Sequence, residues 1–214
     1  MKKIRLLFIT LIVFTFSCNS KMKKDTGTLS GEPTDVSKNK YLFLDVHNLK
    51  PGSVSAAAVA EVHLKDLATQ GKFGVSFIKY WVDEKLGKVY CLAESPDSAS
   101  VYQTHKEAHG LVPDFIHQVD HGDEAKINDQ SDLFLDVHNL GAGNVTAEAV
   151  ADAHKKDLAA QSKHHVNFIN YWVNEKSGVV MCLSEAPDSA AISNTHKEAH
   201  GLLPNEVHKV SQGE

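Results

Sequence analysis

At 214 residues with a formal net charge of −5, the chain has no basic stripe, which argues against a nucleic-acid polyanion as partner. A hydrophobic share of 42% beside 23% charged residues is that of a protein that buries a core, so disorder is not expected for its body. Thirteen histidines against an aromatic share of only 7% are the anomaly to be explained.

The start of the chain reads as an export signal. MKKIR supplies positive charge, and LLFITLIVFTFS is an apolar stretch too short to cross a bilayer as a mature helix. Ser17-Cys18 follows, a small residue before a cysteine, and this resembles the lipobox of bacterial lipoproteins, although Thr15 stands where leucine is commonest. Residues 1–18 are therefore expected to be a lipoprotein signal peptide, with lipidated Cys18 as the membrane anchor. An ordinary cleaved secretory signal is the alternative. Residues 19–40, rich in Lys, Ser, Thr, Gly and Pro, bury too little to offset their own ordering entropy and are expected to be a flexible linker. The expected location is the bacterial cell envelope, on the periplasmic or surface side.

Beyond the linker the sequence repeats itself. A shift of 91 residues aligns YLFLDVHNLKPG with DLFLDVHNLGAG, and of the 79 positions from Tyr41 to Val119, 49 are identical in Asp132–Val210 without an insertion. Two like domains are expected, 41–121 and 132–212, joined by a short polar linker at 122–131. Within the first copy, Tyr41–His47 alternates as a strand and PGS breaks it. Ser53 to Gln70 carries Val59, His63 and Leu67 at helical spacing. Val75–Val82 and Lys88–Glu94 flank DEKLG as a hairpin. SPDS opens a second helix that runs through THKEAH to a capping Gly110, and Phe115–Val119 is the last strand. The order βαββαβ predicts an α+β, ferredoxin-like fold in two tandem copies.

The histidines follow the repeat. Ten of them form five pairs at the same shift: His47 with His138, His63 with His154, His105 with His196, His109 with His200, and His117 with His208. A recent duplication copies every residue, but about 38% of the aligned positions have changed, so five untouched histidines are more than copying predicts. His105 and His109 stand one helical turn apart, and His63 faces inward from the neighbouring helix, so these imidazoles are expected to approach one another. An inward imidazole must be hydrogen-bonded or coordinated, since leaving it unpaired costs about 1–3 kcal/mol. The candidate metal ligands are His63, His105 and His109, with His47 and Asp66, and in the second copy His154, His196 and His200, with His138 and Asp157. Asp66 reads as a ligand, as the acceptor that fixes a histidine tautomer, or as a solvated charge beside Lys65, and Asp45 and Glu107 are weighed for the same roles. Cys91 and Cys182, mid-strand, read more simply as buried free thiols than as ligands. Tyr80-Trp81 and Tyr171-Trp172 read as packing.

A zinc-protease reading fails on order. That chemistry needs H-E-x-x-H, whereas THKEAHG places the glutamate one position later, rotated about 100° from where a general base would stand. No G-x-S-x-G, G-x-G-x-x-G or phosphate-binding loop is present, and no catalytic residue is assigned.

DVHNL, AEVHLKDLATQ, FIKYWVDEKLGKVYCL, ESPDSA and THKEAHGLVPD together resemble a nickel-binding-protein-like family of small ferredoxin-like bacterial domains, formerly a domain of unknown function. The resemblance covers 41–119 and 133–210. It implies ferredoxin-like units paired as an α+β barrel, and binding of nickel or a similar divalent ion, without implying a ligand list or an enzymatic activity. In a tandem chain the two copies are expected to pair with each other as a single-chain pseudodimer. The expected function is an exported, lipid-anchored protein that binds a divalent transition metal at one histidine-rich site per repeat, for capture, sensing or sequestration. Nickel is favoured over zinc, copper or iron. The alternatives are a small-molecule enzyme that uses the metal or the barrel cavity, and an interaction module with pH-responsive histidines.

Overall fold

The computed structural model describes residues 39–129 and 131–214. The expected signal peptide with Cys18, and most of the first linker, lie outside the described residues.

The first repeat runs β1 (Tyr41–Asn48), α1 (Ala56–Thr69), a 3-10 turn at Gln70–Phe73, β2 (Ser76–Asp83), β3 (Lys88–Ser95), α2 (Ser98–Ala108), β4 (Phe115–Gln118) and β5 (Asp120–His121). The second runs β6 (Asp132–Asn139), α3 (Ala147–Ala160), a 3-10 turn at Gln161–His164, β7 (Asn167–Asn174), β8 (Val179–Ala186), α4 (Ser189–Ala199) and β9 (Glu206–Gly213). The βαββαβ order is thus present twice.

Local chemistry sets the boundaries. The first helix begins three residues after the expected Ser53, because Ser55 is its cap: the Ser55 side chain accepts from the Ala58 N–H at 3.2 Å, as Thr146 does from Ala149. Asp97 and Asp188 cap α2 and α4 from the PDS segments. The hairpin turn needs Gly87, which has φ 70°, and a β-carbon there would stand 2.6 Å from the Leu49 carbonyl oxygen.

The strands join in the order β4-β1-β3-β2-β9-β6-β8-β7-β5, antiparallel throughout. The repeats meet at two seams, where β9 pairs with β2 (Tyr80 opposite Gly213) and β5 with β7 (His121 opposite Trp172). The order is open between β4 and β5, yet these are successive segments of one run, so that run borders β1 with its first half and β7 with its second. This is the expected single-chain pseudodimer. Part of the expected second linker lies along the second repeat, with the Ala125 N–H donating to the Ile169 carbonyl at 2.7 Å and Ile127 packed on the core.

Each central strand is buried on both faces. Leu44, Val46, Tyr90, Leu92 and Trp81 turn toward their counterparts, and Trp81 and Trp172 approach to 5.0 Å between ring centroids. Each aliphatic side chain so withdrawn from water contributes about 1.5–3 kcal/mol. The alternate residues Tyr80, Val82, Val89 and Cys91 face the helices. The candidate site lies on that helix-facing side.

Candidate metal centre

The alternation of FLDVH carries Asp45 and His47 to the same face of β1, and the register places Cys91 of β3 directly opposite Asp45. From above, α2 turns Val101, Thr104 and His105 inward, while α1 turns His63 and Asp66 inward. Asp45, His47, Cys91 and His105 are all buried and offer ligand atoms within 4.8 Å of one another, as do Asp136, His138, Cys182 and His196. A second convergence, sharing His105, comprises Asp66, His105 and His109, and its counterpart comprises Asp157, His196 and His200. All of these residues are among the 49 positions identical between the copies.

His105 spans the two groups through its two nitrogens. Nε2 lies 3.2 Å from Asp45 Oδ2, and Nδ1 lies 3.1 Å from Asp66 Oδ1. His47 Nε2 lies 3.2 Å from Asp45 Oδ1, and the His47 and His105 rings stand edge to face, 5.0 Å apart at 89°. In the second repeat the matching distances are 3.4 Å for His196 Nε2 to Asp136 Oδ1, 3.0 Å for His196 Nδ1 to Asp157 Oδ1 and 3.1 Å for His138 Nε2 to Asp136 Oδ1.

The outer group explains how the inner imidazole is held. The Leu111 N–H donates to His109 Nδ1 at 3.1 Å, so a neutral His109 carries its hydrogen on Nε2, which points at Asp66 Oδ1 from 3.0 Å. Leu202 and His200 repeat the arrangement at 3.1 Å, with His200 Nε2 3.1 Å from Asp157 Oδ1. His109 is thereby spent as a donor. Asp66 stands where it can accept from His105 Nδ1–H, so that once Nε2 gives up its proton its lone pair faces Asp45, His47 and Cys91. A carboxylate behind a ligating imidazole is how metal sites fix a histidine tautomer. Asp66 is buried, so it is not a solvated charge, and of the ligand and acceptor readings the geometry favours the acceptor.

The inner group fits a divalent ion. Ligands at about 2.1 Å stand about 3.0–3.4 Å apart around octahedral or tetrahedral ions, the range of the carboxylate–imidazole distances here. Asp45 Oδ1, both carboxylate oxygens of Asp136, and His196 Nε2 are buried without a hydrogen bond of proper geometry, although their neighbours are close, and so is Asp66 Oδ1 in the outer group. Orphaned acceptors of this kind cost about 1–3 kcal/mol each unless something cationic meets them.

Without an ion, a proton takes that position. Burial pushes His105 down, but hydrogen bonds to Asp45 and Asp66 outweigh it and raise its pKa to about 10. His196 is raised to about 10 between Asp136 and Asp157 in the same way. Burial pushes Asp66 up, yet the His105 and His109 hydrogen bonds bring it down to about 2. Asp45 is likewise lowered against its burial, by His105 and His47. Burial, then the Asp45 and Asp66 charges, push the Cys91 thiol well above its ordinary range, as burial and Asp136 do for Cys182. Thiolate ligation here therefore requires the cation itself.

Sequence and structure differ on membership. His63 and His154 do not join either convergence. His63 packs instead, tilted, against Tyr80, 4.7 Å between centroids, and His154 against Tyr171 at 4.8 Å. Glu107 is on the surface, paired with Lys72 at 2.6 Å. Cys91 and Cys182, expected as plain buried thiols, stand within the inner groups. The signal was strand register: Asp45 and His47 share a face, and the pairing of β1 with β3 puts Cys91 across from Asp45.

The profile of the family described as nickel responsive protein SCO4226-like matches residues 43–119 and again residues 134–210. The chain belongs to that family. It is a tandem member, carrying two copies of the SCO4226-like unit, as the doubled YWV, PDS and HKEAHGL segments led us to expect. SCO4226 from Streptomyces coelicolor A3(2) is similar to it at 34% identity, over 38% of this chain and 99% of that one, with a TM-score of 0.36. A putative monooxygenase from Lactobacillus acidophilus NCFM matches at 9% identity over 80% of this chain and 94% of that one, TM-score 0.45. A heme-binding protein from Thermus thermophilus matches at 9% identity over 82% and 91%, TM-score 0.39. A search of curated proteins finds no match.

Proposed function

We propose that this SCO4226-like chain is a non-catalytic divalent-metal-binding protein of the bacterial cell envelope, with one centre per repeat. Asp45, His47, Cys91 and His105 hold the first ion, and Asp136, His138, Cys182 and His196 the second. Asp66 with His109, and Asp157 with His200, orient the inner imidazoles. The observation that carries this reading is His105 itself, buried, with one nitrogen 3.1 Å from Asp66 and the other 3.2 Å from Asp45, whose second carboxylate oxygen has no hydrogen bond. A bound ion offsets the carboxylate and thiolate charges that burial otherwise penalises.

Nickel is the favoured ion, supported by the family's description as nickel responsive and by a donor set of imidazole, thiolate and carboxylate that suits borderline-soft cations. The MKKIR-LLFITLIVFTFS-Cys18 start supports export and lipid anchoring, so that the centres face ions outside cytoplasmic buffering, for capture, sensing or sequestration.

Elemental analysis of tag-free protein from an exporting host tests this. About two ions per chain are expected, and His105→Ala/His196→Ala removes them. Asp66→Asn/Asp157→Asn, which spares the ligands, weakens binding about 10- to 100-fold. Unchanged metal content in the histidine double variant overturns the ligand set. Metabolic labelling with a lipid precursor, lost on Cys18→Ser, tests the anchor.

A further inference from the structure

The edge of β7 is covered from Val173 back to Asn167, and the equivalent edge of β2 is not. On β7, β5 pairs with Val173 and Trp172, and the chain then continues beside the strand. The Gly122 N–H donates to the Tyr171 carbonyl at 3.3 Å and the Ala125 N–H to the Ile169 carbonyl at 2.7 Å. The Asn167 side-chain amide donates to the Lys126 carbonyl at 3.1 Å, and Ile127 packs on the barrel core. The Asn128 N–H then donates to the Glu185 carboxylate at 3.0 Å. On β2, β9 pairs with Val82, Trp81 and Tyr80 and goes no further. Among the described residues no N–H outside the sheet reaches the Ile78 carbonyl, the counterpart of Ile169.

Exposure records the difference. Ile169 is 1% exposed and Ile78 is 38% exposed. Phe168 and Glu185 are buried, whereas Phe77 is half-buried and Glu94 exposed. The three residue types are the same in both repeats, so the cover and not the sequence of the edge makes the difference. A strand edge that presents unpaired backbone groups beside an exposed aliphatic side chain is where another chain adds a strand. A bulge usually discourages such pairing, but this one does not. The register shifts between Phe77 and Lys79 and likewise between Phe168 and Asn170, and on β7 it is the bulged residue, Ile169, whose carbonyl is taken.

We propose that the β2 edge at Ser76–Lys79 docks an extended segment of a partner protein by strand addition. The cover on β7 defines the chemistry of that segment. A small residue directs its N–H to the Ile78 carbonyl, as Ala125 does to Ile169. An aliphatic residue two positions later packs on the core, as Ile127 does, and the next N–H meets the Glu94 carboxylate, as Asn128 meets Glu185. The edge contains no residue of either metal group, and the inference does not rest on the metal reading.

The probe is a fluorescein-labelled peptide with the sequence of residues 122–129, GDEAKIND, titrated by anisotropy against the full-length chain. Saturable binding is expected. Serine in place of the peptide's isoleucine weakens it at least about tenfold, the share of one buried aliphatic side chain. N-methylation of the peptide's alanine, which removes the donating N–H, weakens it at least about fivefold. On the protein, Ile78→Asp, at an exposed position, abolishes binding, and Glu94→Gln weakens it about threefold. No saturable binding, or binding that neither Ile78→Asp nor the N-methyl group alters, overturns the proposal. Sedimentation velocity without peptide examines the other occupant. A dimer that Ile78→Asp makes monomeric assigns the edge to a second copy of this chain and overturns the proposal too.

Discussion

Gly213, at the end of β9, lies so close against Tyr80 of the other repeat that a β-carbon there would overlap the phenol ring, and Gly122 lies on Tyr171 in the same way. The two contacts are related by the 91-residue shift, and Tyr80 presses in turn on His63. Gly213→Ala or Gly122→Ala forces the tyrosine aside and is expected to cost about 1–3 kcal/mol in urea denaturation. Stability within about 0.3 kcal/mol of wild type would mean that these glycines are not what lets the repeats approach.

The seams carry unequal polar contacts. His208 of the second repeat is buried with Nδ1 3.0 Å from Asp83 Oδ2 of the first, whereas its counterpart His117 faces the Ser177 hydroxyl at 3.4 Å. Removing His208 leaves the Asp83 carboxylate buried with, among the described residues, its Leu86 N–H bond. His208→Ala should therefore cost about 3 kcal/mol and His117→Ala about 1 kcal/mol. Equal losses in parallel denaturation curves would refute the difference.

The metal-free protein should show a stability plateau between about pH 4 and pH 6.5. Burial alone would lower His105, but Asp45 and Asp66 raise it from 6.5 to about 10, so its contribution is full below 6.5 and is lost as pH rises toward 10. Burial alone would raise Asp66, but His105 and His109 lower it from 3.8 to about 2, so its contribution is full above 3.8 and is lost as pH falls toward 2. Calorimetric Tm of chelated protein should fall on both sides of the plateau. Loading with nickel should flatten the alkaline limb, because the ion displaces the His105 proton. An alkaline limb unchanged by nickel would count against ligation through His105.

Cys91 and Cys182 are free and buried, with thiols held protonated by burial and by nearby carboxylates. A thiol reagent should modify them at least ~100-fold more slowly in the native protein than in denaturant, since the thiolate is the reacting form. Rapid native labelling would show that the inner group is open to solvent.

The periodicities that define βαββαβ are local, and so the strands, helices and caps could be read from alternation, from i, i+4 spacing and from Ser, Asp and Gly at the element ends. The duplication made pairing of the copies expected, but which strand meets which did not follow, because β9 on β2 and β5 on β7 are decided by contacts such as Gly213 on Tyr80, over 130 positions apart in sequence. The site was half legible. His47, His105 and Asp66 were found from spacing, while Cys91 needed the register of β1 on β3, and His63 stands outside both convergences because helical spacing gives a face but not a depth.

By itself, then, the sequence determined the repeat, the order of elements and the chemical types available for a metal, because each depends on neighbours within a turn or a strand. Tertiary structure alone decided that Asp45 and Cys91 sit opposite each other beneath His105, that Asp66 and His109 stand behind its far nitrogen, and that His63 packs against Tyr80. Those placements are sums of strand register, helix rotation and packing between elements tens of residues apart, and no local pattern encodes them.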